Sequence, residues 1–180
     1  MRVVAGRFGG RRLDAPAGRE TRPTSDRVRE ALFSILGPLD GARVLDLFAG
    51  SGALALEALS RGAGSAVLVE RDPRAVRAIR ANIDALGVGE EEARVMPVTA
   101  RAALRNAFAA GDTYDLVFLD PPYRSAPGLG RELSDALEPL IAAGGRVVTE
   151  SDRRAPLELS MPLALERRYG DTLIRIHHGP

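Results

Sequence analysis

Of 180 residues, 25 are arginine and none is lysine, cysteine or tryptophan; the two histidines are the neighbours His177 and His178, and the net charge is +1. The absence of lysine excludes a Schiff base, a pyridoxal phosphate anchor and a Walker-A phosphate grip, and the absence of cysteine excludes a thiolate nucleophile, a cysteine-held metal centre and disulfides. One soluble cytoplasmic domain is expected, because 180 residues can bury a core, no apolar run reaches the roughly 18 residues of a membrane span, and no signal peptide opens the chain.

Residues 1–36 read as a basic extension, with eight arginines against Asp14, Glu20, Asp26 and Glu30, while residues 37–180 carry a net charge of −3. Arg2–Ala5 and Arg11–Leu13 flank Gly6, Gly9 and Gly10 and suit a small hairpin. Thr24 is placed as the N-cap of a helix whose apolar stripe is Val28, Ala31, Leu32, Ile35 and Leu36; Arg27 and Arg29 stay off the stripe, and Gly37-Pro38 ends it. Alanine, glycine, proline and arginine, all with GC-rich codons, make 84 residues, so the arginine-only composition reads first as coding bias. Its placement is not neutral. Arg2, Arg7, Arg11 and Arg12 come with no acid among the first twelve residues and are the candidate phosphate contacts.

From residue 37 strands and helices alternate. Strands are expected at Arg43–Phe48, Ser65–Glu70, Arg94–Val98, Tyr114–Leu119 and Arg146–Glu150. Between them lie helices at Gly52–Ser60, from Asp72-Pro73 to Leu86, at Thr99–Ala109 and at Arg131–Ile141. The alternation predicts an α/β fold, a mostly parallel, doubly wound sheet with helices on both faces. Leu163–Arg168 and Thr172–His177, joined by Tyr169-Gly-Asp171, form a C-terminal antiparallel hairpin and bring the strands to seven. His177 and His178 point to opposite faces of a strand, so they read as a solvated terminal pair and no metal site is expected. Glu90-Glu-Glu92 reads as a solvated turn.

In doubly wound sheets ligands bind beyond the C-terminal strand ends. Three such ends carry unusual residues. The first is Asp46-Leu-Phe-Ala-Gly-Ser-Gly52, whose Gly50 and Gly52 allow a tight turn and close approach of a ligand at a helix start. With Ala55 and Glu70 it also satisfies a dinucleotide fingerprint. Asp46 argues against that reading, since a carboxylate would face the pyrophosphate of NAD but suits the ammonium and sulfonium of S-adenosylmethionine. The second end is Glu70, placed to accept from ribose hydroxyls. The third is Asp120-Pro-Pro-Tyr123. An exocyclic base amine is a poor nucleophile because its lone pair is delocalised into the ring. Asp120 and the Pro121 carbonyl can accept its two N–H bonds and localise that pair, Pro122 stiffens the backbone, and Tyr123 offers a stacking face for a flipped base.

Together Asp46–Gly52 and Asp120–Tyr123 resemble two motifs of the S-adenosylmethionine-dependent amino methyltransferases. Gly6–Leu13, Arg22–Phe33 and Tyr169-Gly-Asp-Thr172 narrow the likeness: the whole chain resembles the bacterial 16S ribosomal RNA guanine-N2 methyltransferases. The resemblance implies a Rossmann-like methyltransferase domain over residues 37–180 and an RNA-binding extension over 1–36. Asp46 and Phe48, Ala49, Gly50, Ser51 and Gly52 would hold the methionine end of S-adenosylmethionine, Glu70 its ribose, Arg71 and Thr99-Ala100 its adenine. Thr24 and Arg27 would pack over the cofactor, and Asp120, Pro121, Pro122 and Tyr123 would form the catalytic loop. No separate target-recognition domain is left over, which suits a monomer acting on 16S ribosomal RNA presented in the small subunit or an assembly intermediate. The rivals are a DNA adenine or cytosine amino methyltransferase, an NAD-dependent oxidoreductase and a non-catalytic RNA-binding assembly factor.

Overall fold

The computed structural model describes residues 1–16, 25–121 and 129–179. After an N-terminal loop, the elements are α1 (Asp26–Leu36), β1 (Arg43–Asp46), α2 (Ala53–Ser60), β2 (Ser65–Val69), α3 (Pro73–Leu86), β3 (Ala93–Met96), α4 (Ala100–Ala110), β4 (Tyr114–Leu119), α5 (Leu129–Leu137), β5 (Ile141–Asp152), β6 (Leu163–Tyr169) and β7 (Thr172–His178). Among the described residues the strands form one seven-stranded sheet in the order β3-β2-β1-β4-β5-β7-β6, parallel from β3 to β5 and antiparallel through β7 and β6. The expected α/β architecture with an antiparallel hairpin is therefore present.

Alternation along each strand divides the core into two layers. Val44, Leu68, Leu116, Phe118, Val148 and Ile174 face α1, α2 and α3. Leu45, Val69, Val117, Leu119 and Val147 face α4 and α5. The inner parallel strands β1, β2 and β4 are largely buried on both faces, which is why they read as short apolar runs, while the edge strand β3 is only partly buried. Helix α3 follows its sequence signals closely. Asp72 caps it by accepting from the Arg74 amide at 2.8 Å, Pro73 opens it, and Gly87 closes it.

The N-terminal loop packs into the same core. Val3 and Leu13 are buried with Leu32, Phe33 and Leu59. A single antiparallel bridge, Arg2 to Arg12, stands where two strands were expected. Backbone bonds from Val3 N to the Arg11 carbonyl at 2.9 Å and from Leu13 N to the Met1 carbonyl at 3.0 Å still close the expected hairpin. Helix α2 anchors it: the buried Glu57 carboxylate accepts from the Val4 and Ala5 amides at 2.6 and 3.0 Å, and Ser60 Oγ accepts from Phe8 N at 2.9 Å. Gly6 has φ +81°, and any Cβ there would overlap the Ser60 carbonyl. Gly6→Ala should therefore dislodge the loop and lower stability by about 3 kcal/mol, read as a shift in the denaturant midpoint.

Several boundaries differ from expectation. Helix α1 is capped by Ser25, whose Oγ accepts from Val28 N at 3.3 Å, and not by Thr24, which lies outside the described residues. Its buried face is also rotated. Phe33 is buried against Phe118 with ring centroids 5.9 Å apart, while Ile35 is exposed. Arg29, expected off the stripe, is 1% exposed, because its guanidinium donates to the Arg2 carbonyl and to Asp26 Oδ1 and so enters the core with partners. Strand β5 starts at Ile141, five residues before expectation. Its Ala-Ala-Gly-Gly opening has no strand pattern and passes through a register irregularity, with Tyr114 paired to Ile141 and Leu116 to Arg146. His177 is not solvated: it is 3% exposed, with Nδ1 3.1 Å from the Met161 carbonyl oxygen, and burial lowers its pKa. Strand β7 lies inside the sheet, so only its neighbour His178 faces solvent. Glu92 is likewise not simply solvated, since it accepts from Gly89 N at 3.2 Å and pairs with Arg7.

Candidate active site

Four acids stand at the C-terminal ends of adjacent parallel strands. Strand parity puts Asp46, Glu70, Asp120 and Glu150 on the α1–α3 side, in line with Val44, Leu68, Phe118 and Val148. Asp46 closes β1 and is 1% exposed, and its Oδ1 has no hydrogen-bond partner among the described residues. Burial pushes its pKa up to about 7, with the charge of Glu70 adding to the rise, and the backbone amides of Phe48 and Ala55 oppose it. Asp120 follows β4, and its pKa is raised well above the ordinary carboxylate range by burial, then by Glu150, then by Asp46.

The glycine loop turns between β1 and α2. Leu47 N donates to the Phe118 carbonyl at 3.2 Å and Ala49 N to the Val69 carbonyl at 3.0 Å, so the loop sits astride β4 and β2. Its two glycines have different jobs. Gly52, at φ +82°, is needed by the core: a Cβ there would lie 3.0 Å from Leu68 Cδ2 and 3.3 Å from Leu56 Cδ1. Gly50, at φ +58°, has only the Phe48 carbonyl near its Cβ position, at 3.9 Å, so its outer side is the one open to a ligand. Of the two positions, only Gly50 has open space beside its backbone. Ser51 is tied down on both sides, its carbonyl accepting from Asn82 Nδ2 at 2.9 Å and its Oγ lying 3.4 Å from Met1 Sδ.

Glu70 organises the loops around it. Its Oε2 accepts from Gly50 N at 3.1 Å and its Oε1 from the Arg71 and Asp72 amides, both at 2.8 Å. Thr99 caps α4, with Oγ1 accepting from Ala102 N at 3.3 Å, which commits the side chain to the helix; Ala100 is its first residue. Phe48 is half-buried, Ala49 is buried, and Arg71 and Arg27 are exposed. Pro121 is buried beside Asp120, while Thr24, Pro122 and Tyr123 lie outside the described residues.

Three of the four N-terminal arginines have partners in the chain itself. Arg2 pairs with Asp26 at 2.8 Å, Arg7 with Glu92, and Arg11 donates to the Ala85 carbonyl. Arg12 is exposed with no ion-pair partner among the described residues.

Glu150 went unmarked in the sequence reading. It is 4% exposed near the end of β5. The signal was available, because Val147-Val-Thr-Glu150 is an apolar strand ending in an acid, the same feature that marked Asp46 and Glu70. Among the described residues no group of His, Asp or Glu side chains is arranged to hold a metal ion. A shallow cleft of about 380 Å³ lies at the other end of the strands, between Asp40, Asp115 and Arg146, and holds none of these residues.

The family described as Conserved hypothetical protein 95 matches residues 1–178. The Escherichia coli ribosomal RNA small subunit methyltransferase D is 42% identical over 77% of this chain and 67% of its own. This chain belongs to the ribosomal RNA small subunit methyltransferase D family. YlbH of Bacillus subtilis is 39% identical over 98% of both chains. Among solved structures, yhhF of Escherichia coli superposes with a TM-score of 0.83 at 36% identity, covering 99% of this chain and 97% of that one.

Proposed function

We propose that the protein transfers a methyl group from S-adenosylmethionine to the exocyclic N2 amine of a guanine in 16S ribosomal RNA. The observation that carries this is the placement of Asp120 and Pro121 at the end of β4, on the same face as Asp46 and the open side of Gly50, in a member of this family. The donor set fits the cofactor. A buried, partnerless Asp46 oxygen beside two further acids suits a ligand carrying positive charge and opposes a pyrophosphate. Asp46 and the Phe48–Gly52 loop would hold the methionine end. Glu70, with three loop amides already bound, keeps one acceptor site for a ribose hydroxyl.

When bound, the cofactor supplies a methyl group on a sulfonium sulfur, which takes the electron pair of the breaking bond. The chain's own part is electrostatic. Asp120 and the Pro121 carbonyl accept the two N–H bonds of the amine and localise the lone pair that forms the new bond to carbon. Asp120 then takes the surplus proton from nitrogen and passes it to solvent. Its raised pKa falls towards the ionised, accepting form once positive charge sits among the acids. No lysine, cysteine or metal is required. The protein acts as a cytoplasmic monomer on the small subunit or its assembly intermediate, with residues 1–36, Arg12 foremost, touching phosphates. No helix among the described residues is long and apolar enough to cross a membrane.

The test is transfer of labelled methyl to small subunits from cells lacking the enzyme, followed by mass spectrometry of the nucleosides. N2-methylguanosine is the expected product. Label in adenine, cytosine or protein, with none in guanine, overturns the reading, and calorimetry showing NADH rather than S-adenosylhomocysteine bound would overturn the cofactor.

A further inference from the structure

Asp120 and Glu150 follow paired residues on neighbouring parallel strands, Leu119 of β4 and Thr149 of β5. Adjacent strands lie roughly 4.8 Å apart, so the two acids stand side by side, and parity turns both towards α1. On its other flank Glu150 pairs with the apolar Ile174 of β7. Glu150 is also the strongest charge acting on Asp120, ahead of Asp46, as its position one strand away requires. Asp46, with its buried partnerless oxygen, closes β1, the strand on the other side of β4.

Holding an exocyclic amine does not choose among bases, because guanine, adenine and cytosine all carry one. The ring nitrogen beside the amine does choose. In guanine it is N1–H, a donor; in adenine N1 and in cytosine N3 it is a lone pair. We propose that Glu150 is the specificity-determining acceptor of the site, taking the N1–H of guanine while Asp120 and the Pro121 carbonyl hold the 2-amino group. A carboxylate there repels the lone pair that adenine or cytosine would present, and it has acceptor sites for more than one donor. The inference rests on the guanine-N2 reading above and adds the residue that selects the base.

2-Aminopurine tests it, since it keeps the 2-amino group but offers a lone pair at N1. The substrates are small subunits reconstituted with guanine or 2-aminopurine at the methylated position. Wild type should prefer guanine by roughly 100-fold in kcat/KM. Glu150→Gln, whose amide can donate to N1, should bring the two bases within about tenfold while leaving affinity for S-adenosylhomocysteine unchanged. Equal use of both bases by wild type overturns the proposal, as does a Glu150→Gln enzyme that keeps the full preference. Should that variant fail to bind S-adenosylhomocysteine, Glu150→Asp replaces it, with recovered guanine preference expected and its loss against the proposal. Methyl found on no guanine at all defeats the guanine reading itself, and the nucleoside product distinguishes that failure from the others.

Discussion

Asp120→Ala should abolish methyl transfer, with a loss of roughly 10³-fold or more in kcat, while affinity for S-adenosylhomocysteine stays within about threefold of wild type. The separation follows from position. Asp120 lies at the end of β4, whereas the residues proposed to face the methionine and ribose ends lie at the ends of β1 and β2. Asp120→Asn should also be slowed by more than about tenfold, because its amide oxygen can still accept one N–H but the group carries no charge and cannot take the surplus proton. Neither change should unfold the protein. Asp120 is a half-buried carboxyl held above its usual range by desolvation, then by Glu150 and Asp46, and removing it relieves those costs. Denaturant midpoints at neutral pH should be equal to or above wild type. A variant within tenfold of wild-type activity would remove Asp120 from the chemistry, and a loss of cofactor binding would place it in the wrong subsite.

The second large effect concerns Asp46 and pH. Its carboxyl rises from an ordinary 3.8 to about 7 in the folded protein. Folding therefore takes up a proton that the unfolded chain has released in that window. The contribution to stability is full below 3.8, is lost as pH rises towards 7, and is absent above it. At 1.36 kcal/mol per pH unit the loss amounts to about 4 kcal/mol. Asp46→Asn should flatten this profile and raise stability at pH 8 by about 2–4 kcal/mol, read by denaturant unfolding at pH 5 and pH 8. The same substitution should weaken S-adenosylmethionine binding by roughly 100-fold, since it removes the charge proposed to face the ligand's cation. Wild-type affinity should rise with pH through about 7, with proton release on binding measured by calorimetry in two buffers. A variant that binds as tightly as wild type would take Asp46 out of the cofactor site.

The sheet was largely legible because its strands carry their own boundaries. Tyr114–Leu119 and Pro73–Leu86 stand where expected, the one as an unbroken apolar run and the other framed by Asp72, Pro73 and Gly87. The errors fall where tertiary contacts override local pattern. Arg29 cannot be read as buried without knowing that the Arg2 carbonyl and Asp26 meet it, and His177 cannot without knowing that β7 is inserted inside the sheet. In the candidate site, Asp46, Glu70 and Asp120 were visible as acids at strand ends. What chain order hides is adjacency. Glu150 is 30 positions from Asp120, and only the β4–β5 register sets them together. Glycine roles were hidden too, because the Leu68 and Leu56 side chains that fix Gly52 come from different elements.

The order β5-β7-β6 constrains how the chain can be assembled. Strand β6 is made before β7, yet among the described residues its one sheet neighbour is β7, so within that sheet it has no partner until β7 has been synthesised. Until then β5 presents an open edge, with the ladder from Arg146 to Asp152 unpaired on that side. Closure of the sheet is thus a late step of folding, and a chain interrupted between residues 169 and 178 would keep an adhesive edge on β5.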